Sequence, residues 1–129
     1  MKVQVLRVDR DYVPLPLVDG PAGEVRAVVW PGMAARHRSM HYVALPAGAR
    51  TVPHGHPASE AVYYIVSGHG TVEDLDLGSQ HAVGPGSFVL ITPRTCYRIA
   101  AAADSGLVCV GGPCPPDPLL YAARSGGSG

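Results

Sequence analysis

The sequence predicts an all-β domain, a sandwich or closed barrel of many short strands. Two observations carry that expectation. Sixteen glycines and thirteen prolines punctuate the 129 residues, and no long stretch with a helical 3.6-residue period survives between them. What survives is a series of short alternating or β-branched runs bounded by turn residues, the pattern of sheet proteins.

Taken in order, residues 3–8 alternate polar and apolar side chains, and 24–30 and 39–45 follow as two further runs. Residues 50–53 form a short run that ends on Pro53. Residues 61–67 carry two tyrosines among β-branched and apolar neighbours and close on Gly68. Past the Gly68-His69-Gly70 turn come 70–75, 80–83 and 87–91, then 97–101 and 107–111. The segment 113–118, PCPPDP, is expected to end the sheet, because proline removes ladder donors. The terminal SGGSG is polar and flexible. These runs organise the chain as one domain over 1–120, with N-terminal strands and a loop over 1–38, a core barrel over 39–112, and a flexible tail over 121–129. At this length a single hydrophobic core forms without staples.

Composition narrows the function. Ten acidic and ten basic side chains cancel and form no block of one sign, which argues against a nucleic-acid or membrane-surface partner. No apolar run approaches a membrane span, and Met1-Lys2 leads into alternation rather than a signal peptide's apolar core. Cys96, Cys109 and Cys114 are an odd number without a C-x-x-C pair, so neither a disulfide framework nor a thiolate zinc site is expected. A cytoplasmic setting follows. No nucleophile-elbow, phosphate-loop or dinucleotide motif is present.

The chemistry concentrates in 48–68, GARTVPHGHPASEAVYYIVSG. His54 and His56 are two residues apart, so on an extended strand both imidazoles leave the same face. Two imidazoles with a carboxylate nearby, here Glu60, can chelate a transition metal. Tyr63 shares the inward face with Ala61 and Ile65, whereas Tyr64 points the other way. His41 either enters the cavity as a further ligand or sits on the outer face of its strand. His37, His69 and His81 fall in a basic loop, a turn and a strand start, and are expected to be exposed.

Two stretches resemble the paired motifs of the cupin superfamily. Gly48, five residues, His54-Gly55-His56, three residues, Glu60 and then Gly68 follow the first motif, G-x5-H-x-H-x3–4-E-x6-G. The segment Gly86 to Tyr97 stands where the second motif, G-x5-P-x-G-x2-H, is found, with Thr92-Pro93-Arg94 at the turn and Tyr97 in place of the third histidine. Counting back six residues from Gly68 lands on Ala61, so Glu60 is one residue out of the usual carboxylate register. A one-residue shift turns a side chain to the opposite face, and Glu60 is read either as a ligand or as a solvated turn residue.

The resemblance implies a jelly-roll barrel holding one divalent transition metal (Zn, Fe, Ni or Mn) on His54, His56 and Glu60. It further implies catalytic roles for Tyr97 and Glu60, and substrate contacts from Tyr63, Tyr97 and Arg94. The activity it implies is an enzyme acting on a small organic molecule, with Lewis-acid cyclisation or isomerisation of a secondary-metabolite type favoured by the broken carboxylate register. An Fe(II) dioxygenase using His54, His56 and Glu60 is the alternative, and a non-catalytic ligand-binding module the second. A homodimer is expected, with 3–8 and 24–30 adding to a neighbour's sheet edge.

Overall fold

A computed structural model describes residues 3–125. The chain forms eleven strands, one α-helix and a short 3-10 turn (Pro31–Met33) among these residues: β1 (Val13–Leu15), β2 (Val18–Asp19), β3 (Glu24–Val29), β4 (Met40–Leu45), β5 (Arg50–Thr51), β6 (Glu60–Gly68), β7 (Gly70–Asp74), β8 (Ser79–Val83), β9 (Phe88–Ile91), β10 (Tyr97–Ala101), β11 (Leu107–Cys114) and α1 (Pro118–Ser125). Two antiparallel sheets face each other, one ordered β1-β3-β4-β11-β6-β9 and the other β2-β5-β10-β7-β8. This is the jelly-roll arrangement of an all-β barrel. No helix among the described residues is long and apolar enough to cross a membrane.

Strict alternation builds the core. β4 buries His41, Val43 and Leu45, β6 buries Ala61, Tyr63 and Ile65, and β10 buries Tyr97, Ile99 and Ala101. The intervening side chains face outward, as the two-residue period of a strand requires. The side chains from both sheets meet in a single cluster that fills the barrel.

Three expectations need correction. Residues 3–8 form no strand; Val3 is 92% exposed and the segment pairs with nothing in either sheet. The edges of 24–30 are also taken, because β3 pairs with β1 on one side and β4 on the other. β11 runs on through Pro113 to Cys114 although it lies between β4 and β6. Its pairing with β4 ends at Gly111, and the Pro113 carbonyl turns to that side to accept the Ser39 hydroxyl. A strand residue presents its N–H and C=O to the same neighbour, so the missing N–H of Pro113 falls where no ladder bond is needed.

The third correction concerns the tail. Residues 118–125 form α1, and only 126–129 of the expected tail lie outside the described residues. Asp117 caps the helix, its Oδ1 accepting the Leu119 N–H at 3.0 Å, and Pro118 takes the first helical position, where its missing N–H costs nothing. Tyr121 is buried, its ring centroid 5.5 Å from that of Trp30. The helix lies across the barrel end where β4 and β6 begin and β11 finishes. Seating an aromatic there removes apolar surface from water, which holds a helix too short to be stable alone.

Candidate active site

The H-x-H segment lies against β10. His54 N–H donates to the Tyr97 carbonyl at 3.0 Å and Tyr97 N–H to the His54 carbonyl at 2.8 Å, an isolated bridge that sets the two residues side by side. Glycine is needed between the histidines because a Cβ at Gly55 would stand 2.7 Å from the Thr95 carbonyl oxygen.

Four side chains then form one hydrogen-bonded line. Asp117 Oδ2 lies 2.9 Å from His56 Nδ1, His56 Nε2 lies 2.8 Å from the Tyr97 hydroxyl, and that hydroxyl lies 3.0 Å from the Tyr63 hydroxyl. His56 is 2% exposed and Asp117 3%. The bonding pattern assigns the protons. An ionised carboxylate only accepts, so His56 carries its proton on Nδ1 and its bare Nε2 accepts from Tyr97. Tyr63 then donates to the Tyr97 oxygen. Burial, reinforced by Tyr63, pushes the Tyr97 phenol well above its ordinary value, and burial does the same to Tyr63. Both hold their protons at neutral pH.

His54 stands beside this line, its ring centroid 4.4 Å from that of Tyr97. Its Nδ1 lies 2.8 Å from the Val52 carbonyl, so Nδ1 carries the proton and Nε2 keeps a lone pair. Burial lowers its pKa below the ordinary 6.5, which favours the neutral ring.

Glu60 does not join the group. It is exposed at the start of β6, while Ala61 takes the buried position; the one-residue offset turns the carboxylate to the outer face. Arg94 is exposed as well. Its N–H donates to the His56 carbonyl at 2.8 Å, and its φ of 65° places it in the left-handed region glycine prefers, so it serves the turn and not the cavity wall. His41, for which two placements were open, faces inward and is buried.

The donor set does not fit a divalent metal. Among the described residues, no three His, Cys, Asp or Glu side chains converge as a metal site. Three imidazoles face inward: His56 is engaged at both nitrogens, His41 is tied through Nε2 to Tyr121, and His54 keeps the lone pair on Nε2; the other inward donors are protonated phenols. A catalytic metal ordinarily takes three protein ligands, and with Glu60 outside these residues fall short of that set.

His41 and Asp117 are what sequence reasoning left unplaced. Asp-Pro ahead of an apolar stretch is a helix-start signal, which marks Asp117 as a cap but says nothing of His56. His41 Nε2 lies 2.5 Å from the Tyr121 hydroxyl, joining the barrel to α1. Burial, with His56 and His54 adding to it, lowers the His41 pKa to about 4. The unfolded chain takes up this proton near pH 6.5 and the folded chain only near 4, so the stabilisation is whole above pH 6.5 and drains as pH falls through that window. The loss should approach about 3 kcal/mol. Urea denaturation at a series of pH values should show it, with a shallower acid slope in His41→Gln; an unchanged slope would refute the assignment.

A cavity of about 480 Å³ opens between β8 and β9, the outer strands of the two sheets, with Val72, Val83, Val89 and Ile91 along its walls and Tyr97 reaching it from within. Tyr97, the phenol shared by His56 and Tyr63, therefore borders a space large enough for a small organic molecule.

Residues 41–110 match the family described as "Cupin domain". A cupin-like protein from Thermotoga maritima is 24% identical, covering 77% of this chain and 72% of its own at a TM-score of 0.68. The polyketide cyclase RemF from Streptomyces resistomycificus is 20% identical over 96% of this chain and 94% of its own, also at 0.68. A predicted oxalate decarboxylase from Thermotoga maritima is 18% identical over 87% and 99%, at 0.67. At such identities the likeness is one of fold. No curated protein matches the chain.

Proposed function

Starting from the chain's membership of the cupin superfamily, we propose that it is an enzyme that isomerises or cyclises a small carbonyl compound by proton transfer through Tyr97, His56 and Asp117. The carrying observation is the unbroken line of hydrogen bonds from Asp117 to Tyr63. A substrate α-proton passes to the Tyr97 oxygen as the Tyr97 proton passes to His56 Nε2. The new imidazolium is held by the Asp117 carboxylate, and the Tyr63 hydroxyl steadies the oxygen. A phenol that resists ionisation suits this coupled transfer, because no isolated phenolate has to form in a buried site. Returning the proton to another atom of the enolate gives an isomer. If the enolate carbon first attacks a second carbonyl of the same molecule, a ring bond forms and the alkoxide takes the proton. The likeness in fold to a polyketide cyclase supports cyclisation.

The test uses a neutral ketone, 2-tetralone, whose α-protons exchange with D2O in a reaction followed by NMR. The protein should speed this exchange, and exhaustive dialysis against a chelator should leave the rate unchanged. A loss reversed by Zn(II), Fe(II), Ni(II) or Mn(II) would return the chemistry to a metal on His54 and His56. No acceleration at all would favour a binding module.

The working unit is a homodimer in this proposal. Supporting it, Val62, Tyr64 and Val66 of β6 and Phe88 and Leu90 of β9 stand exposed on the outer face of one sheet, a larger apolar group than isolated surface hydrophobes make. Light scattering reporting a monomer would count against it.

A further inference from the structure

We infer that the cavity between β8 and β9 selects an uncharged, ring-bearing ligand and rejects carboxylates. The inference rests on the proton-transfer reading only in calling that ligand a substrate.

The charges bordering the cavity have one sign. Glu73 and Asp74 line it, Ser87, Thr92 and Thr95 add hydroxyl groups and His81 an imidazole, and neither lysine nor arginine is present in its lining. Asp74 matters most because of its register. It stands directly opposite Tyr97 across the β7–β10 ladder, and directly opposed residues share a face of the sheet. Tyr97 faces inward, so the carboxylate of Asp74 belongs to the inner face, roughly one strand spacing of about 5 Å from Tyr97. Asp74 Oδ1 is tied by the N–H groups of Asp76 and Leu77, each at 3.0 Å, which holds the negative charge in place.

The nearby cations are turned elsewhere. Arg98 follows Tyr97 on the strand and so faces the other way; its Nε donates to the Thr51 carbonyl at 3.2 Å. Arg94 is exposed in its turn. An anionic ligand would bring a second negative charge beside Asp74 in a partly enclosed, weakly screened space, where like charges repel far more than in water. The apolar walls in turn favour a ligand with little charge to desolvate. A ring system bearing carbonyl or hydroxyl groups meets both conditions, with Val72, Val83, Val89 and Ile91 around the ring and Tyr97 at the polar edge.

Three probes of one shape separate the possibilities by calorimetric titration at neutral pH: 2-naphthol, 2-naphthoate and 2-naphthylmethylamine. The neutral naphthol should bind at least about tenfold more tightly than the carboxylate, a difference of one decade in Kd. Asp74→Asn should narrow that gap while leaving naphthol affinity in place, because asparagine keeps the oxygen that the two N–H groups need. Naphthoate binding as well as naphthol, a gap that persists in Asp74→Asn, tightest binding by the amine, or binding of none of the three would each overturn the inference. Binding is read without turnover, so the selectivity can stand where the exchange reaction fails, and the exchange can stand where the selectivity fails.

Discussion

Tyr97→Phe should abolish most of the α-proton exchange while leaving the protein folded. The substitution keeps the ring that packs 4.4 Å from His54 and removes only the hydroxyl shared by His56 and Tyr63. With that oxygen gone, no atom links the substrate to His56, and the loss should be about 10²–10⁴-fold, the usual worth of a positioned acid–base group. Two buried polar groups lose a partner, so urea denaturation should report a cost on the order of 1–3 kcal/mol. Tyr63→Phe removes a donor to the Tyr97 oxygen but not the path of the proton, and its exchange rate should fall much less. A Tyr97→Phe protein that exchanges 2-tetralone at the wild-type rate would sink the relay.

Substitutions at Asp117 should divide stability from catalysis. Asp117→Ala removes the α1 cap and the carboxylate against His56 together, leaving a buried imidazole without its partner at Nδ1. Losing the cap and leaving that N–H unsatisfied should together destabilise the fold by about 2–4 kcal/mol. Asp117→Asn is the sharper test. Its amide oxygen can still cap the helix through Leu119 N–H, so its NH2 group is left to face His56 Nδ1. An amide that donates there forces the opposite tautomer, with the proton on Nε2 and pointing at Tyr97. Tyr97 then has no acceptor for its proton. Exchange should drop by roughly 10²–10⁴-fold in a protein of near wild-type stability, since a wrong tautomer disables such a relay without moving it. Nitrogen-15 NMR of the imidazole should show the tautomer directly; a variant with the wild-type rate and the Nδ1–H form would refute the role given to Asp117.

The parts of this site differ in how far they could be read from the sequence. The H-x-H spacing and the alternation of residues 61–67 are local patterns, and the strand period alone turns Tyr63 and Tyr64 to opposite faces. The same period explains Glu60. Its distance from Gly68 put it one residue out of register, and the fold places Ala61 inside and the carboxylate outside. The N-terminal run 3–8 shows the limit of pattern. It alternates as a strand should, yet alternation names no partner, and the segment pairs with neither sheet.

Asp117 and His41 lay beyond any local pattern. His56 and Asp117 are 61 residues apart, and the stretch around Asp117 carries prolines that spoke only for the end of a sheet. By itself the sequence determined the all-β class, the cupin motif and the faces taken by residues 61–67, because turn chemistry and the two-residue period act between near neighbours. Tertiary structure alone decided that α1 folds back across the barrel, bringing a carboxylate to His56 and a phenol to His41. A buried imidazole is oriented by whichever group meets it in space, and here those groups come from the far end of the chain.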